Sequence, residues 1–290
     1  MKHTIPAHLL QRRAIRVVVI GCGGNGSVMA MGLPYIHQAL LLAGHPGGLD
    51  VTLIDGDIVS PSNCVRQPFS QSEIGLSKSV VLASRVNLFW GLQWKAIQEH
   101  VAKSHKVEEA DIVISCVDTR SARALIEKLV TGNARVTYWL DLGNGAEGGQ
   151  FVLGQPWNRR NPRRADRLRT AVELFPEIAE SAFDDEDELP SCSALEAIER
   201  QEPFVNQTLA SHALGLLARL LTKGVIEVHG AFVSVAGQRA QALPIDRCLW
   251  RKTRRRAVGK AAASPRGTHL GMLGSGVPDN IDTTFSKEAR

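Results

Sequence analysis

One stretch, RVVVIGCGGNG at residues 16–26, joins a run of mostly β-branched residues to a cluster of four glycines. The apolar run predicts a strand, and the residues after the glycines are typical of a helix. Gly21, Gly23 and Gly26 fit the spacing G-x-G-x-x-G, and Gly24 adds a fourth glycine. A helix N-terminus offers unpaired N–H groups to a phosphate, and glycine lets the backbone approach it closely. We therefore predict that these four glycines bind a nucleotide, although a tight strand-to-helix turn also favours glycine.

The next apolar segment predicts a second strand over Val51–Asp55, and this strand ends in an acidic residue. In dinucleotide-binding folds such a carboxylate accepts hydrogen bonds from ribose hydroxyls, so we predict this role for Asp55. The alternative is a strand-end carboxylate that caps a turn. The spacing from Gly26 to Asp55 is longer than the usual pattern of about 20 residues, which predicts an extended first helix or loop. Asp57 is placed in the same predicted site.

Polar and basic residues follow this second strand, at Asn63, Arg66 and Lys78. A nicotinamide enzyme needs no basic cluster in this loop beyond what binds a 2′-phosphate. An enzyme that attacks the α-phosphate of ATP needs cations between an anionic nucleophile and an anionic triphosphate. Such groups are commonly worth ~3–4 kcal/mol each. Either cation alone would indicate only a charged surface. The joint occurrence of Arg66 and Lys78 after Asp55 favours a role in stabilising charge on the phosphoryl oxygens.

A second acidic residue, Asp118, follows a buried-type strand predicted over Asp111–Cys116. Ligands of open parallel sheets bind at the carboxyl ends of the strands, and a carboxylate there can hold Mg²⁺ beside phosphates. Asp118 also precedes a predicted helix, so an N-cap role is the alternative.

Strands and helices alternate along the first half of the chain, which predicts an α/β, Rossmann-like, mostly parallel sheet with helices on both faces. The other predicted strands of this half are Gln93–Ile97 and Val136–Leu142. Antiparallel strands are predicted in the C-terminal half, at Gln150–Leu153 and Ala231–Val235. The predicted helices cover Gly24–Ala43, Ser72–Phe89, Thr119–Val130 and Phe204–Leu221.

The distribution of charged residues along the sequence predicts one domain followed by a tail. Residues 1–250 are predicted to form one domain, and residues 251–290 a basic, disordered tail. A crossover loop at about 156–192 carries a block of arginines and then a block of acidic residues, which predicts a solvated segment. Docking of a charged partner is the alternative for the loop, and weak attraction to nucleic acid is the alternative for the tail.

Bulk composition restricts the function classes. The chain has 290 residues, a formal net charge of +5 and 44% hydrophobic residues, which is ordinary for a globular protein. It has no apolar run of about 18 residues, and Met1–Arg13 lacks the apolar core of a signal peptide. The five cysteines include no Cys-x-x-Cys pair, so neither a disulfide framework nor a structural zinc site is expected. We expect a cytoplasmic protein without a membrane partner or a specific nucleic-acid partner.

Four motifs in this order resemble those of the ThiF/MoeB/HesA adenylating enzymes, which are relatives of the ubiquitin-activating enzymes. The matching stretches are residues 19–27, 53–67, 75–78 and 111–118. Residues 189–194 and 204–210 resemble the ThiF-like family of the plasmid-associated PRTRC systems.

The resemblance implies a reaction and a set of roles. A protein C-terminal carboxylate would attack ATP to give an acyl-adenylate and pyrophosphate. Asp55 would bind the ribose, while Asn63, Arg66 and Lys78 would contact the phosphates and align the carboxylate. Asp118 would support Mg²⁺ and the adenylate. The implied partner is a small ubiquitin-like (β-grasp) protein that ends in glycine.

Many relatives then transfer the acyl group to a cysteine thiol, and Cys192 is the candidate by position. The alternative is a half-buried cysteine with no role. Cys22, Cys64 and Cys116 lie in or beside the nucleotide motifs and are expected to pack there. A conjugating-type protein would be a further partner.

The chain also departs from the family. The paired Cys-x-x-Cys zinc ligands of several relatives are absent. Dimeric relatives donate an arginine from a neighbour's N-terminal segment, and the resemblance implies a homodimer in which Arg12 or Arg13 serves this role.

Two other functions remain open at this point. A nicotinamide-dependent oxidoreductase would explain the glycines and Asp55 but would leave Arg66 and Lys78 without a role. A non-catalytic binding module would need none of the acidic and basic residues.

Overall fold

The computed structural model describes residues 1–101, 106–132, 135–180 and 202–252. The main sheet of this part has the strand order β10-β9-β7-β6-β5-β2-β3-β4. Its strands are β2 (Ile15–Ile20), β3 (Leu49–Ile54), β4 (Lys95–Ile97), β5 (Ile112–Ser115), β6 (Tyr138–Asn144), β7 (Gly148–Gly154), β9 (Val228–Ser234) and β10 (Arg239–Pro244). A second, two-stranded sheet pairs β1 (His3–Thr4) with β8 (Val225–Ile226).

Five neighbouring strands of the main sheet run parallel, in the order β6-β5-β2-β3-β4. Strands β7, β9 and β10 continue the sheet in antiparallel pairing. This arrangement confirms the predicted Rossmann-like sheet with antiparallel strands added in the C-terminal half. It also brings the carboxyl ends of β2, β3 and β5 to one edge, where ligands of such sheets bind.

Helices cover both faces of the sheet. They are α1 (Ala7–Leu10), α2 (Gly24–Leu42), α3 (Asn63–Arg66), α4 (Lys78–Trp90), α5 (Arg120–Val130), α6 (Ala171–Leu174) and α7 (Val205–Lys223). On one face, α2 packs against both α7 and α4. None of the helices in the described part has the length and apolarity needed to cross a bilayer.

The residues of β2 divide between two hydrophobic cores, one on each face. Val17 and Val19 belong to the larger core, together with Leu33 of α2. Val18 belongs to the smaller core, together with Ile126 of α5. A parallel strand buried on both faces needs apolar side chains at consecutive positions, which explains the uninterrupted run that the sequence shows.

The second long helix, α4, begins later than predicted. Residues Gln71–Glu73 form a 3₁₀ turn instead, closed by a hydrogen bond of 2.8 Å from the backbone N–H of Ser70 to the carboxylate of Glu73. Gly75 then takes a φ of +89°, which interrupts helical geometry, and α4 starts at Lys78. The predicted start at Ser72 is therefore wrong, because the capping pattern belongs to the short turn.

The first part of the crossover loop packs against the sheet. The side-chain amides of Asn158 and Asn161 both donate to the backbone oxygen of Val136, at 2.8 and 3.2 Å. Arg167 is 3% exposed and forms an ion pair with Glu173. The expectation of a solvated segment is wrong for these residues, since they satisfy buried backbone and carboxylate groups. The later part of the loop, with Cys192, and residues 253–290 of the predicted tail lie outside the described residues.

Candidate active site

The glycine loop lies where three strands end. The N–H of Gly21 donates to the oxygen of Ile54 at 2.9 Å, and Gly21 takes a φ of +86°. A Cβ at Gly21 would stand 2.7 Å from the backbone oxygen of Cys116, and a Cβ at Gly26 would stand 1.8 Å from the oxygen of Gly21. No side chain fits at either position, so the loop needs glycine to turn tightly into α2. Gly23 and Gly24 begin that helix.

Asp55 is bonded directly to this loop. One carboxylate oxygen accepts the N–H of Cys22 at 2.5 Å, and the other accepts the N–H of Asp57 at 2.7 Å. The second bond is an Asx turn, so Asp55 caps a turn as well as facing the glycines. Burial raises the pKa of Asp55, and the two backbone hydrogen bonds oppose that rise. The carboxylate is therefore held in one position, and each oxygen keeps acceptor capacity for a hydroxyl.

Lys78 lies beside the same turn. Its N–H donates to the backbone oxygen of Asp57 at 3.1 Å, and its Nζ donates to the Asp57 carboxylate at 2.9 Å. The side chain of Lys78 is 9% exposed, whereas that of Asp57 is 55% exposed. The ammonium is thus buried at the mouth of the site and linked through Asp57 to Asp55.

Asn63 and Arg66 lie on the single turn of α3. Asn63 is buried, and its side-chain oxygen accepts the N–H of Ser60 at 2.9 Å. Its NH₂ group remains as a donor. Arg66, at the end of the turn, is half-buried. The loop between β3 and α4 therefore presents an amide and a guanidinium in addition to Lys78.

Asp118 is exposed and lies between β5 and α5. It does not cap the helix. The N-cap is Thr119, whose hydroxyl accepts the N–H of Ala122 at 3.3 Å. This excludes the alternative role that the sequence left open for Asp118, and leaves its carboxylate available at the ligand edge of the sheet.

A buried ion pair between Arg123 and Asp141 supports the segment that leads to Asp118. The Nε of Arg123 donates to both carboxylate oxygens of Asp141, at 3.0 and 3.1 Å, and its Nη2 donates to the oxygen of Val117 at 3.0 Å. Asp141 also accepts the hydroxyl of Ser115 at 2.6 Å. The network thus fixes the residue that precedes Asp118. Sequence reasoning missed it, since the two charges belong to different elements and match no motif.

Asn25 and Gln67 offer polar atoms that the described protein does not satisfy. The amide nitrogen of Asn25 donates to Asn144 at 2.7 Å, which joins α2 to the end of β6. Its oxygen is buried without a hydrogen-bond partner among the described residues, and the same holds for the side-chain oxygen of Gln67. The side-chain nitrogen of Gln67 would lie 3.8 Å from a Cβ at Gly23. Buried acceptors beside the glycine cradle suit a ligand with hydroxyl or amino donors, such as a nucleotide.

The described residues contain no group of three His, Cys, Asp or Glu side chains arranged to bind a metal ion. Mg²⁺ at a nucleotide site is usually held by one or two carboxylates together with phosphates. A single protein carboxylate, that of Asp118, is therefore compatible with binding Mg²⁺ together with the phosphates of a nucleotide.

The cysteines around the loop are poor nucleophiles. Cys22 is fully buried, and burial raises the pKa of its thiol. Burial also raises the pKa of the Cys116 thiol. The thiolate is the reactive form, so these residues pack beside the nucleotide motifs, as predicted.

The sequence pattern of the ThiF family matches residues 4–264. Among solved structures, PaaA is similar with a TM-score of 0.52 and 18% identity, over 82% of this chain and 65% of PaaA. MccB of E. coli, solved with MccA, is similar with a TM-score of 0.53 and 17% identity, over 82% of this chain and 66% of MccB. MccB solved with ATP has a TM-score of 0.52 and 19% identity, over the same shares of the two chains.

The chain thus spans about 65% of the length of PaaA. At these identities the likeness shows a shared fold. No protein with a curated description matches the chain significantly.

Proposed function

The chain belongs to the ThiF family, and from this premise we propose that it uses ATP to adenylate the C-terminal carboxylate of a small ubiquitin-like (β-grasp) protein. The observation that carries the proposal is the buried ammonium of Lys78. It lies 2.9 Å from Asp57, whose backbone is bonded to Asp55. A cation buried beside a glycine loop suits the stabilisation of charge on phosphoryl oxygens.

The reaction joins two anions. A carboxylate oxygen of the partner protein forms a bond to the α-phosphorus of ATP. The bond from that phosphorus to the bridging oxygen breaks, and pyrophosphate leaves with the electron pair. The products are an acyl-adenylate and pyrophosphate.

Each part of the site has a task in this reaction. The N–H groups at the start of α2 receive phosphate oxygens, and Asp55 accepts the ribose hydroxyls. Lys78 and Arg66 stabilise the charge that develops around the α-phosphorus. Asn63 donates its NH₂ group to a phosphate oxygen and orients it.

Asp118 is the residue that would hold Mg²⁺, and the bound ion would neutralise part of the phosphate charge. The position of Asp118 at the end of β5, next to the helix cap at Thr119, suits a carboxylate that faces the phosphates.

Solved relatives support the type of chemistry. MccB structures exist with ATP and with MccA, so a protein of this fold binds the nucleotide and a second component. We extend this to a protein partner with a free C-terminus. In a second step the thiolate of Cys192 would attack the acyl carbon and release AMP, giving a thioester that a conjugating-type protein accepts.

Two finer assignments belong to the same proposal. One is membership of the ThiF-like branch found in PRTRC systems, and the other is a homodimer. A β-grasp protein encoded beside this chain would support the first assignment.

The test is exchange of labelled pyrophosphate into ATP by the full chain, mixed with each β-grasp protein encoded near it. Exchange is expected only when ATP and the correct partner are both present. Replacing Lys78 with Ala is expected to lower the exchange rate by about 10²–10³-fold. The matched control is Lys223→Ala, because this exposed lysine ends α7 away from the site.

Three results would contradict the proposal. ATP binding without exchange for any partner would indicate a non-catalytic binding module. Tight binding of NAD(H) without ATP binding would indicate an oxidoreductase. Equal exchange rates for the Lys78 variant and the wild type would show that the buried ammonium has no role in the reaction.

A further inference from the structure

A second charged pocket lies at the other end of the strands. It has a volume of about 630 Å³ and is lined by His8, Gln11, Arg12, Arg13 and Arg160. All its lining residues are polar, and three of them are arginines. It contains none of the residues that lie around the glycine loop of the same chain.

The pocket is separated from the glycine loop by the length of a strand. Arg12 forms an ion pair with Asp111, which precedes β5, and Arg16 at the start of β2 is bonded to the same carboxylate. Gly21 follows the far end of β2. Six residues of strand at about 3.3 Å each place roughly 20 Å between the two sites. A ligand in the pocket is therefore separate from a nucleotide bound at the glycine loop of the same chain.

Positive charge exceeds negative charge here. Asp111 is fully buried, and its carboxylate is approached by Arg12 at 2.9 Å, by Arg160 at 3.6 Å and by Arg16 at 3.9 Å. Three guanidinium groups thus share one buried carboxylate. Glu109 adds a contact of 3.6 Å to Arg16 alone.

Two of the pocket arginines have unused hydrogen-bonding capacity. The Nη1 atom of Arg160 is buried and has no hydrogen-bond partner among the described residues. Arg13 is exposed, and no partner of its side chain lies within the same residues. Burial and the neighbouring Arg12 lower the pKa of Arg160, as expected where cations crowd together. Donors and charge are thus both in excess.

We propose that this pocket binds a phosphate group. Guanidinium forks pair with phosphate oxygens through two parallel hydrogen bonds, and a phosphate dianion neutralises more excess charge than a single carboxylate does. Gln11 and His8 supply further polar groups at the rim. The proposal does not depend on the adenylation reaction.

The phosphate group has two sources, a free phosphate or the backbone of a nucleic acid. The loop that carries Arg160 also presents Arg159, Arg163 and Arg164 to solvent. The guanidinium of Arg163 lies 4.0 Å from the ring centroid of Trp157. This basic surface beside the pocket makes a phosphodiester chain the source to test together with inorganic phosphate.

The experiment measures binding of inorganic phosphate to the full chain by calorimetry. The chain carries Lys78→Ala, so that binding at the nucleotide site is weakened. Arg160→Gln in this background is expected to lower phosphate affinity about tenfold or more, and Arg13→Gln by a smaller factor. The matched control is Arg239→Gln, because Arg239 is exposed on β10 and should leave the affinity unchanged.

A second arm titrates a short single-stranded DNA and follows its fluorescence anisotropy at several salt concentrations. Weakened DNA binding in the Arg13 and Arg160 variants identifies a phosphodiester ligand, and weakened binding of inorganic phosphate alone identifies a free phosphate. Wild-type affinity for both probes in both variants would overturn the proposal. Arg13→Gln removes an exposed side chain that has no partner among the described residues, so we expect that variant to fold even where Arg160→Gln does not.

Discussion

The buried pair of Arg123 and Asp141 gives a direct test of how the site is supported. The change is Arg123→Met, which keeps the length and the apolar stem of the side chain but removes the guanidinium. The two side chains are 7% and 2% exposed, so water does not take the place of the lost partner. Asp141 then keeps its charge in the core with the hydroxyl of Ser115 as its remaining donor.

The expected loss follows from this geometry. Removing one partner of a buried ion pair costs about 3–5 kcal/mol, because the other charge is left uncompensated. Arg123 also donates to the oxygens of Val117 and Ile178, which lose a donor in the variant. These additional bonds place the expected loss near the upper end of that range.

Thermal and urea unfolding of wild type and variant measure the loss. A domain of this size shifts its midpoint by roughly 2–4 °C per kcal/mol, so a loss near 5 kcal/mol should lower the midpoint by roughly 10–20 °C. The double variant Arg123→Met with Asp141→Asn should recover part of the loss, because the amide oxygen still accepts from Ser115 and no charge is buried. Lys128→Met on the exposed face of α5 is the matched control, with an expected change within about 0.5 kcal/mol.

Two results would refute this reasoning. One is a loss below about 1 kcal/mol for Arg123→Met, which would show that water or a neighbouring group compensates Asp141. The other is a double variant that is as unstable as the single variant, which would show that the cost comes from packing rather than from the unpaired charge.

Three further changes have expected outcomes. Gly26→Ala should destabilise the loop and abolish nucleotide binding, because a Cβ there would stand 1.8 Å from a backbone oxygen. The control is Gly215→Ala, where a Cβ would meet nothing within 4 Å. This change should stabilise α7 by about 0.5–1 kcal/mol in the same unfolding assay. His229 is buried and accepts the indole N–H of Trp250 at 2.9 Å, and burial lowers its pKa to about 4. Because the unfolded chain then binds a proton first, stability should fall by up to about 3 kcal/mol as the pH drops from 6.5 to 4. Burial also lowers the pKa of His3 to about 4, so His229→Asn should reduce this dependence without removing it, in urea titrations at several pH values. Asp55→Asn should weaken ATP binding about tenfold in calorimetry through loss of a charged acceptor; unchanged affinity would exclude the ribose role.

Local sequence patterns were sufficient for the parallel half of the sheet. The apolar run at Ile15–Ile20 and the glycines after it define both the strand and the start of α2, because burial on both faces and a tight turn each impose strict residue types. The same patterns missed β1 and β8, since two-residue strands have no periodicity. They also missed Arg239–Pro244, an edge strand whose side chains are mostly exposed.

The sequence likewise predicted some features of the candidate site and missed others. The sequence order predicted that Asp55 and the glycines lie together, because adjacent parallel strands end at one edge of the sheet. It gave no sign of the contact between Asn25 and Asn144, which are 119 residues apart in the chain. Such contacts depend on which strands become neighbours in the fold. An isolated asparagine in the sequence does not indicate which residue it will contact.

Under the proposed function, the ion pair between Lys78 and Asp57 would explain why an acidic residue lies in a site for an anionic ligand. A buried ammonium without a partner would be costly, and Asp57 supplies a counter-charge when no phosphate is present. The carboxylate of Asp57 is 55% exposed, so solvent screening weakens its electrostatic attraction to the ammonium of Lys78. Under the proposed function, a bound triphosphate would offer the ammonium more negative charge than the single carboxylate of Asp57 does. Asp57 would then hold Lys78 in position until a phosphate replaces it as the partner of the lysine.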